Sequence, residues 1–311
     1  MKNKVIAIVG PTGVGKTELS LRLADYTDSE IISCDSMQIY KGMDIGTAKA
    51  TASEMSLIPH HLIDIKDPKE SYSVCDYVAD AKKCINDIFS RGKNAMIVGG
   101  TGLYVDSFIN DTDFTETKAS DEIRKELTLY AEKNGADALH DILKEVDPES
   151  AASIHPNNIK RVIRAVEYFR ISGEKISQHN KLGALKKSPY DYLYIGLTRN
   201  RDELYERIDK RVDLMIEKGL TEEVKRLWCR GCNLKMTSMQ ALGYKEIIHY
   251  IEGRCTLDEA IRILKRDSRR YAKRQLTWFN RNKDIKWINL SEISPDEAID
   301  IAKDIIKKVQ N

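Results

Sequence analysis

Val5-Ile6-Ala7-Ile8-Val9, running directly into Gly10-Pro11-Thr12-Gly13-Val14-Gly15-Lys16-Thr17, decides the fold of this 311-residue chain. The second stretch is G-x-x-x-x-G-K-[ST]. A β-branched run precedes it, and Glu18-Leu19-Ser20-Leu21-Arg22-Leu23-Ala24 follows it with helical apolar spacing. The reading is strand, phosphate loop, helix. Glycines at 10, 13 and 15 let the backbone N–H groups turn inward, and the helix start adds the positive end of its dipole. In loops of this type the lysine, here Lys16, neutralises terminal phosphate oxygens, and the hydroxyl, here of Thr17, ligates Mg²⁺. The stretch predicts a polyphosphate site and leaves open what happens to the phosphate.

Downstream, Glu30-Ile31-Ile32-Ser33-Cys34-Asp35-Ser36-Met37-Gln38-Ile39-Tyr40 predicts a short strand with Asp35 and Ser36 at its carboxyl end. Open α/β sheets place their ligand crevice there. Asp35 is a candidate general base or magnesium partner, or else it caps the following turn. Lys41 to Lys49 is a Gly-rich loop with two lysines. His60 and His61 precede a further strand and point to opposite faces of an extended chain. Neither has a partner visible in sequence, so a catalytic role for one of them stays open.

Ser73 to Gly92 carries Val74, Tyr77, Val78, Ala81, Ile85 and Ile88 on one helical stripe that should cover the sheet. Asn94-Ala95-Met96-Ile97-Val98 is the next buried strand, and it ends in Gly99-Gly100-Thr101-Gly102. A nucleoside triphosphatase is expected to end such a strand with an acid that helps hold Mg²⁺. Gly-Gly-Thr weakens a motor or switch reading. It suggests a site that receives a ligand closely, with the Thr101 hydroxyl as donor.

From about Asp113 to Pro189 the chain turns polar and helical, with a capping start at Ser120, so an inserted helical domain is expected over 113–189. Within it Lys160, Arg161 and Arg164 fall inside about one and a half helical turns, a cluster suited to backbone phosphates. Ser172 to Ser188 is expected to be a mobile connector. Tyr192 to Leu197 restores a core strand, and a helix carrying Arg207 and Arg211 on one face follows. These arginines either reach a phosphate or pair locally with Glu203 and Glu206, and position favours the pairing. The fold expected is α/β: a parallel-sheet core like that of P-loop nucleoside triphosphatases, formed by 1–112 and 190–311, with an inserted all-helical domain.

Composition agrees with a soluble class: 41% hydrophobic, 32% charged, and no run near the roughly eighteen apolar residues of a membrane span. The first strand starts within five residues, which leaves no room for a signal peptide, so a cytoplasmic, non-membrane protein is expected. The six cysteines lack the density of a disulfide scaffold, and Cys229-x-x-Cys232 has no second pair at zinc-finger spacing. Net charge is only +2, yet Arg254 to Lys286 holds eleven Lys/Arg against four Asp/Glu. That run is either a solvated face or, with Tyr271, Trp278 and Phe279 interleaved, a polyanion surface.

These stretches together resemble the tRNA dimethylallyltransferase (tRNA isopentenyltransferase) family over essentially the whole chain. The resemblance rests on Gly10 to Thr17, Asp35 to Tyr40, Gly42 to Lys49, Pro59-His60-His61-Leu62-Ile63-Asp64, Gly99 to Tyr104, and Ala272-Lys273-Arg274-Gln275-Leu276-Thr277-Trp278-Phe279. It implies transfer of a dimethylallyl group from dimethylallyl diphosphate to the exocyclic amine of the adenosine 3′ of the anticodon, in tRNAs reading codons that begin with U. It also implies residue roles. Gly10, Pro11, Thr12, Gly13, Val14, Gly15, Lys16 and Thr17 would hold the diphosphate with Mg²⁺ at Thr17. Asp35 would accept a proton from the amine, Thr101 would stand near the reacting centre, and Arg211 would contact the diphosphate, with Arg207 one turn away.

Ser36, Met37 and Gln38, with Asp35 and Thr101, would hold the flipped base. Arg124 and the stretch Ile159, Lys160, Arg161, Val162, Ile163 would contact the tRNA anticodon stem-loop. No protein partner is implied, and a monomer is expected. Two other readings remain: a P-loop kinase of a small metabolite with Asp35 as base and the insert as lid, and a non-catalytic P-loop RNA-binding regulator.

Overall fold

The computed structural model describes residues 4–112, 120–185 and 188–310. They divide into two compact units: Met1–Ile109 with Tyr190–Asn311, and Asn110–Pro189. The boundary expected at 113 falls among residues outside those described.

In the first unit, β1 (Lys4–Val9) leads through the loop into α1 (Lys16–Tyr26), then β2 (Ser29–Ser33), α2 (Ala52–Leu57), β3 (His60–His61), α3 (Val74–Ser90), β4 (Asn94–Gly99) and α4 (Gly102–Ile109). The second unit holds α5 (Asp121–Val146), α6 (Pro148–Ser153), α7 (Ile159–Ser172) and α8 (Ile176–Leu185). The chain re-enters the first unit through β5 (Asp191–Thr198), α9 (Arg201–Glu217), α10 (Leu220–Cys229), α11 (Tyr244–Ile251), α12 (Leu257–Phe279), β6 (Lys286–Asn289) and α13 (Pro295–Gln310).

The six strands form one sheet in the order β3-β2-β4-β1-β5-β6, every neighbouring pair parallel. Val5 to Val9 are all buried, as a strand covered on both faces requires. Alternate residues divide between the two faces. Ile6 and Ile8 share a cluster with Leu19 and Leu23 of α1, Leu204 and Ile208 of α9, Ala272 of α12 and Ile299 of α13. Tyr77, Ala81, Ile85 and Ile88 form the buried stripe of α3. Register does the remaining work: Val9 pairs with Gly99 and with Gly196, and Ser33 with Val98. The segments that begin at Gly10, Cys34 and Gly100 therefore leave the sheet side by side at its carboxyl edge.

β6 and α13 lie beyond the elements expected from sequence. Four residues of strand followed by an amphipathic helix add one more parallel edge beyond β5.

The helical unit has its own core of Leu127, Leu139, Leu143, Val162, Ile163 and Val166. Ser120 caps α5 by accepting from the Ile123 amide at 3.3 Å. The Ser172 to Ser188 stretch, expected as a mobile connector, is mostly α8. Buried Asp147 accepts from both the amide (3.0 Å) and the hydroxyl (2.8 Å) of Ser177, and Lys181 pairs with Glu149 at 2.8 Å. Those contacts hold a segment whose own composition is poor in helix signals.

Candidate active site at the carboxyl edge of the sheet

The phosphate loop is held from outside by arginines. Arg199 donates to the Val14 carbonyl at 2.9 Å and Arg207 to the Gly13 carbonyl at 3.1 Å. Pinning these carbonyls outward leaves the amides facing the other way. Among the described residues, none of the amides of Gly13, Gly15, Lys16 and Thr17 donates to a carbonyl. Gly10 has φ +150°, and a Cβ there would lie 2.6 Å from the Leu197 carbonyl oxygen, so only glycine lets the loop leave β1 beside β5.

Lys16 folds over this loop and donates to the carbonyls of Gly10 (3.0 Å) and Pro11 (2.9 Å). Burial, reinforced by the nearby Arg211 cation and opposed by Asp35, lowers its pKa to about 8. Arg211 is likewise pushed below its ordinary value by burial, with Asp35 acting the other way. The three charges thus lie within electrostatic reach of one another: two cations and one carboxylate. Among the described residues neither arginine forms an ion pair with Glu203 or Glu206, although the Arg207 charge reaches Glu203. Glu203 is held by Arg199 and Glu206 by Lys210, while Arg211 makes no ion pair among the described residues. Arg207 braces the loop, and Arg211 reaches the charge cluster.

Asp35 sits at the turn after β2. Its Oδ1 accepts from the amides of Met37 (2.9 Å) and Gln38 (3.4 Å), so the turn-capping role and the site position coexist in one side chain. The Ser36 amide donates to Thr101 Oγ1 at 3.2 Å and the Thr101 amide to the Cys34 carbonyl at 3.3 Å, stitching the β2 and β4 exits together. Gln38 is fully engaged: its Oε1 accepts from Ser33 Oγ at 3.0 Å, and its Nε2 faces the carbonyls of Thr47 and Ala48 at 3.3 Å each. It builds the wall behind Ser36 and Met37. Thr17, exposed at the first turn of α1, makes no side-chain hydrogen bond among the described residues.

In the helical unit, Lys160 and Arg161 are exposed at the start of α7, and Ile159 packs partly against the core. Val162 and Ile163, expected at the tRNA surface, are core residues, 0% and 7% exposed. A helix that presents Lys160 and Arg161 must turn the next two residues inward. Arg124 and Arg164 both pair with buried Glu167, at 2.9 and 3.2 Å.

The paired histidines also have partners. His61 Nε2 lies 2.7 Å from Glu30, which Arg91 grips and holds at a pKa of about 2, and His60 Nδ1 lies 2.7 Å from the Ile58 carbonyl. They anchor the sheet edge. The basic run of α12 is partly neutralised by acids lying outside it, with Lys265 on Asp213 and Arg269 on Asp209, whereas Lys273 and Arg274 carry no ion pair among the described residues.

Three further residues belong to the site region, none of them assigned to it from sequence. Tyr271 stands beside Thr101, and burial together with the Asp35 charge pushes its hydroxyl up to about 12. Gln275 accepts from the Thr12 amide and donates to the Gly100 carbonyl, each at 2.9 Å. Glu223, 2% exposed, accepts from the amides of Asp44 (3.0 Å), Ile45 (2.9 Å) and Gly46 (3.2 Å) and from the Tyr244 hydroxyl (2.6 Å), which fixes the Gly-rich loop. The helical phase Ser268-Ala272-Gln275-Phe279 was the available signal for Gln275, because it puts a polar residue on a buried stripe.

Comparison with known proteins shows the family. The family model for IPP transferase matches residues 38–282, and that for isopentenyl transferase matches residues 3–68. The tRNA dimethylallyltransferase of Bacillus subtilis is 52% identical over 293 residues, 93% of this chain and 92% of that protein. That of Halalkalibacterium halodurans is 50% identical over 299 residues, 96% and 95% of the two chains. Among solved structures, the full-length tRNA isopentenylpyrophosphate transferase of Bacillus halodurans superposes with a TM-score of 0.76 at 48% identity, covering 99% of this chain and 97% of that one. A eukaryotic dimethylallyltransferase acting on tRNA gives a TM-score of 0.84 at 32% identity, covering 98% and 80%. With half of the residues shared along nearly the full length of both bacterial relatives, the chain belongs to the IPP transferase family, that of the tRNA dimethylallyltransferases.

Proposed function

We propose that this protein transfers the dimethylallyl group of dimethylallyl diphosphate to the exocyclic N6 amine of the adenosine 3′ of the anticodon, in tRNAs that read codons beginning with U. One observation carries the reading: two cations, Lys16 and Arg211, gather beside a single carboxylate, Asp35, where the strands end. The adjacent exit of β4 offers Thr101 rather than the acid expected of a nucleoside triphosphatase. That set suits a reaction in which diphosphate leaves and an amine arrives.

The bond from the allylic carbon to the diphosphate oxygen breaks as the N6–carbon bond forms. Negative charge grows on the leaving diphosphate, and Lys16, Arg211 and the inward loop amides stabilise it. Asp35, oriented through Oδ1 by two amides, takes the proton that the amine loses. Ser36, Met37 and Thr101 surround the extruded base, with Gln38 supporting them. Lys160 and Arg161 of the helical unit offer contacts to the tRNA backbone.

The residues present fit Mg²⁺ in one way. Among the described residues no cluster of acids, histidines and cysteines makes a metal cage, while Thr17 offers an unengaged hydroxyl beside the loop. Mg²⁺ characteristically binds through substrate phosphates, waters and one or two protein ligands. Bound there, it would neutralise diphosphate charge.

No helix among the described residues is long and apolar enough to cross a membrane, which accords with a tRNA-modifying role in the cytoplasm. The test is mass spectrometry of an anticodon stem-loop bearing adenosine 3′ of its anticodon, after incubation with the protein, Mg²⁺ and dimethylallyl diphosphate. A gain of one prenyl unit on that adenosine is expected. No gain, with ATP consumed when small metabolites are offered, would replace this reading by a kinase.

A further inference from the structure

The segment Ala272 to Phe279 is the most basic-looking of the stretches that carry the family resemblance, yet the face it turns inward is neither basic nor purely apolar. Gln275 is 6% exposed, and its amide spends one donor and its acceptor on two loops that lie far away in sequence. Its Oε1 accepts from the Thr12 amide at 2.9 Å, and its Nε2 donates to the Gly100 carbonyl at 2.9 Å. A Cβ on Gly100 would stand 2.1 Å from that nitrogen, so the turn after β4 is shaped to admit this side chain. Three residues on, Trp278 fills the equivalent space at Gly102 and donates from Nε1 to Asp106 at 2.7 Å, seating α12 on the start of α4.

We propose that Gln275 is a positioning residue of the transfer reaction, a bracket that fixes the diphosphate loop and the Thr101 turn relative to each other. The proposal rests on the reading of the loop as a diphosphate site.

A phosphate loop works only if its amides converge, and Thr12 is its third residue. Holding the Thr12 amide sideways commits that N–H to the protein and orients the following peptides. The second hydrogen bond directs the Gly100 carbonyl at α12. It thereby sets the peptide that carries Thr101, whose Oγ1 accepts from the Ser36 amide. One side-chain amide thus sets the separation between the leaving-group side of the site and its amine-accepting side. A displacement of about 1 Å at such a place is enough to cost on the order of a hundredfold in rate.

Only a carboxamide supplies both bonds. Glu in its place keeps an acceptor for Thr12 but sets a carboxylate against the Gly100 carbonyl, and Met fills the same volume with neither bond.

The experiment compares wild type with Gln275→Met and Gln275→Glu. Binding of isopentyl diphosphate, a saturated and unreactive analogue, is measured with Mg²⁺ by calorimetry. Prenyl transfer to the stem-loop is followed in parallel, with the melting temperature as a check on folding. Both variants are expected to bind the analogue at least tenfold more weakly and to lose at least tenfold in kcat, while KM for the stem-loop stays within threefold and both proteins remain folded. Analogue binding within twofold of wild type in Gln275→Met would overturn the proposal, because a loss confined to Gln275→Glu would be charge repulsion alone. A KM for the stem-loop rising in step with the other parameters would also overturn it, showing general loosening. Wild type that binds the analogue but transfers nothing would refute the transferase reading and leave Gln275 decided by the binding data. Wild type that does not bind the analogue would refute both.

Discussion

The titration of Lys16 is the sharpest consequence of the site's electrostatics. Burial lowers its pKa to about 8, the Arg211 cation pushes in the same direction, and Asp35 pulls it back up. Lys16 is charged below that value and neutral above it. About nine-tenths of the free enzyme therefore carries the cation at pH 7 and about one-tenth at pH 9. Because kcat/KM reports the free enzyme, its value for dimethylallyl diphosphate should fall about tenfold between pH 7 and pH 9. A bound diphosphate raises the Lys16 pKa again, so kcat should stay nearly level over the same range.

Calorimetry with isopentyl diphosphate isolates the protein's part, since the last proton of a phosphate monoester leaves near about pH 6. Two substitutions then test the sign. Arg211→Met removes the cation that depresses Lys16 and should move the descending limb to higher pH. Asp35→Asn removes the charge that raises it and should move the limb lower. Affinity that stays flat from pH 7 to 9 in the wild type, or limbs that shift the same way in both variants, would refute the argument.

Asp35→Asn should also lower turnover by about 10² to 10⁴ with stem-loop affinity within threefold, measured by single-turnover transfer; unchanged turnover would remove Asp35 from the proton path. In the helical unit, Arg161→Ala should reduce the slope of log affinity against log salt by about 0.7 to 0.9 and leave the melting temperature alone. Its neighbour Val162→Ala should do the reverse, costing about 2 kcal/mol in a denaturant titration with the salt slope intact. Glu223→Gln puts an amide donor among backbone donors and should cost about 1–3 kcal/mol of stability. Because the 44–48 loop supports Gln38, that variant should also raise KM for the stem-loop more than KM for dimethylallyl diphosphate, as steady-state kinetics with each substrate varied would show.

What could be read from the residues was what neighbours in sequence decide. The phosphate loop, the strand carrying Asp35, the stripe of α3 and the Gly-Gly-Thr strand end all rest on local periodicity or local turn chemistry. What could not be read depends on partners far along the chain. His61 looked like a free catalytic candidate until Glu30 was seen across the adjoining strand, and α8 looked like a connector until Asp147 was seen to hold its first turn. Arg207 and Arg211 are indistinguishable by spacing, since both lie on one helical face, and only the path of the loop separates brace from site. Val162 and Ile163 show the converse error. A family resemblance carries a stretch as a unit, while a helix divides it between solvent and core.

The place of β1 in the sheet also has a consequence for how the protein is made. This strand is synthesised long before β5, yet it lies between β4 and β5, and β5 runs from Asp191 to Thr198. At about 5–20 residues per second, the ribosome needs roughly 10 to 40 s to reach that second neighbour. During that interval the edge of Val5 to Val9 that faces β5 has no native partner. The nascent chain should accordingly engage chaperones through Val5 to Val9 until β5 emerges.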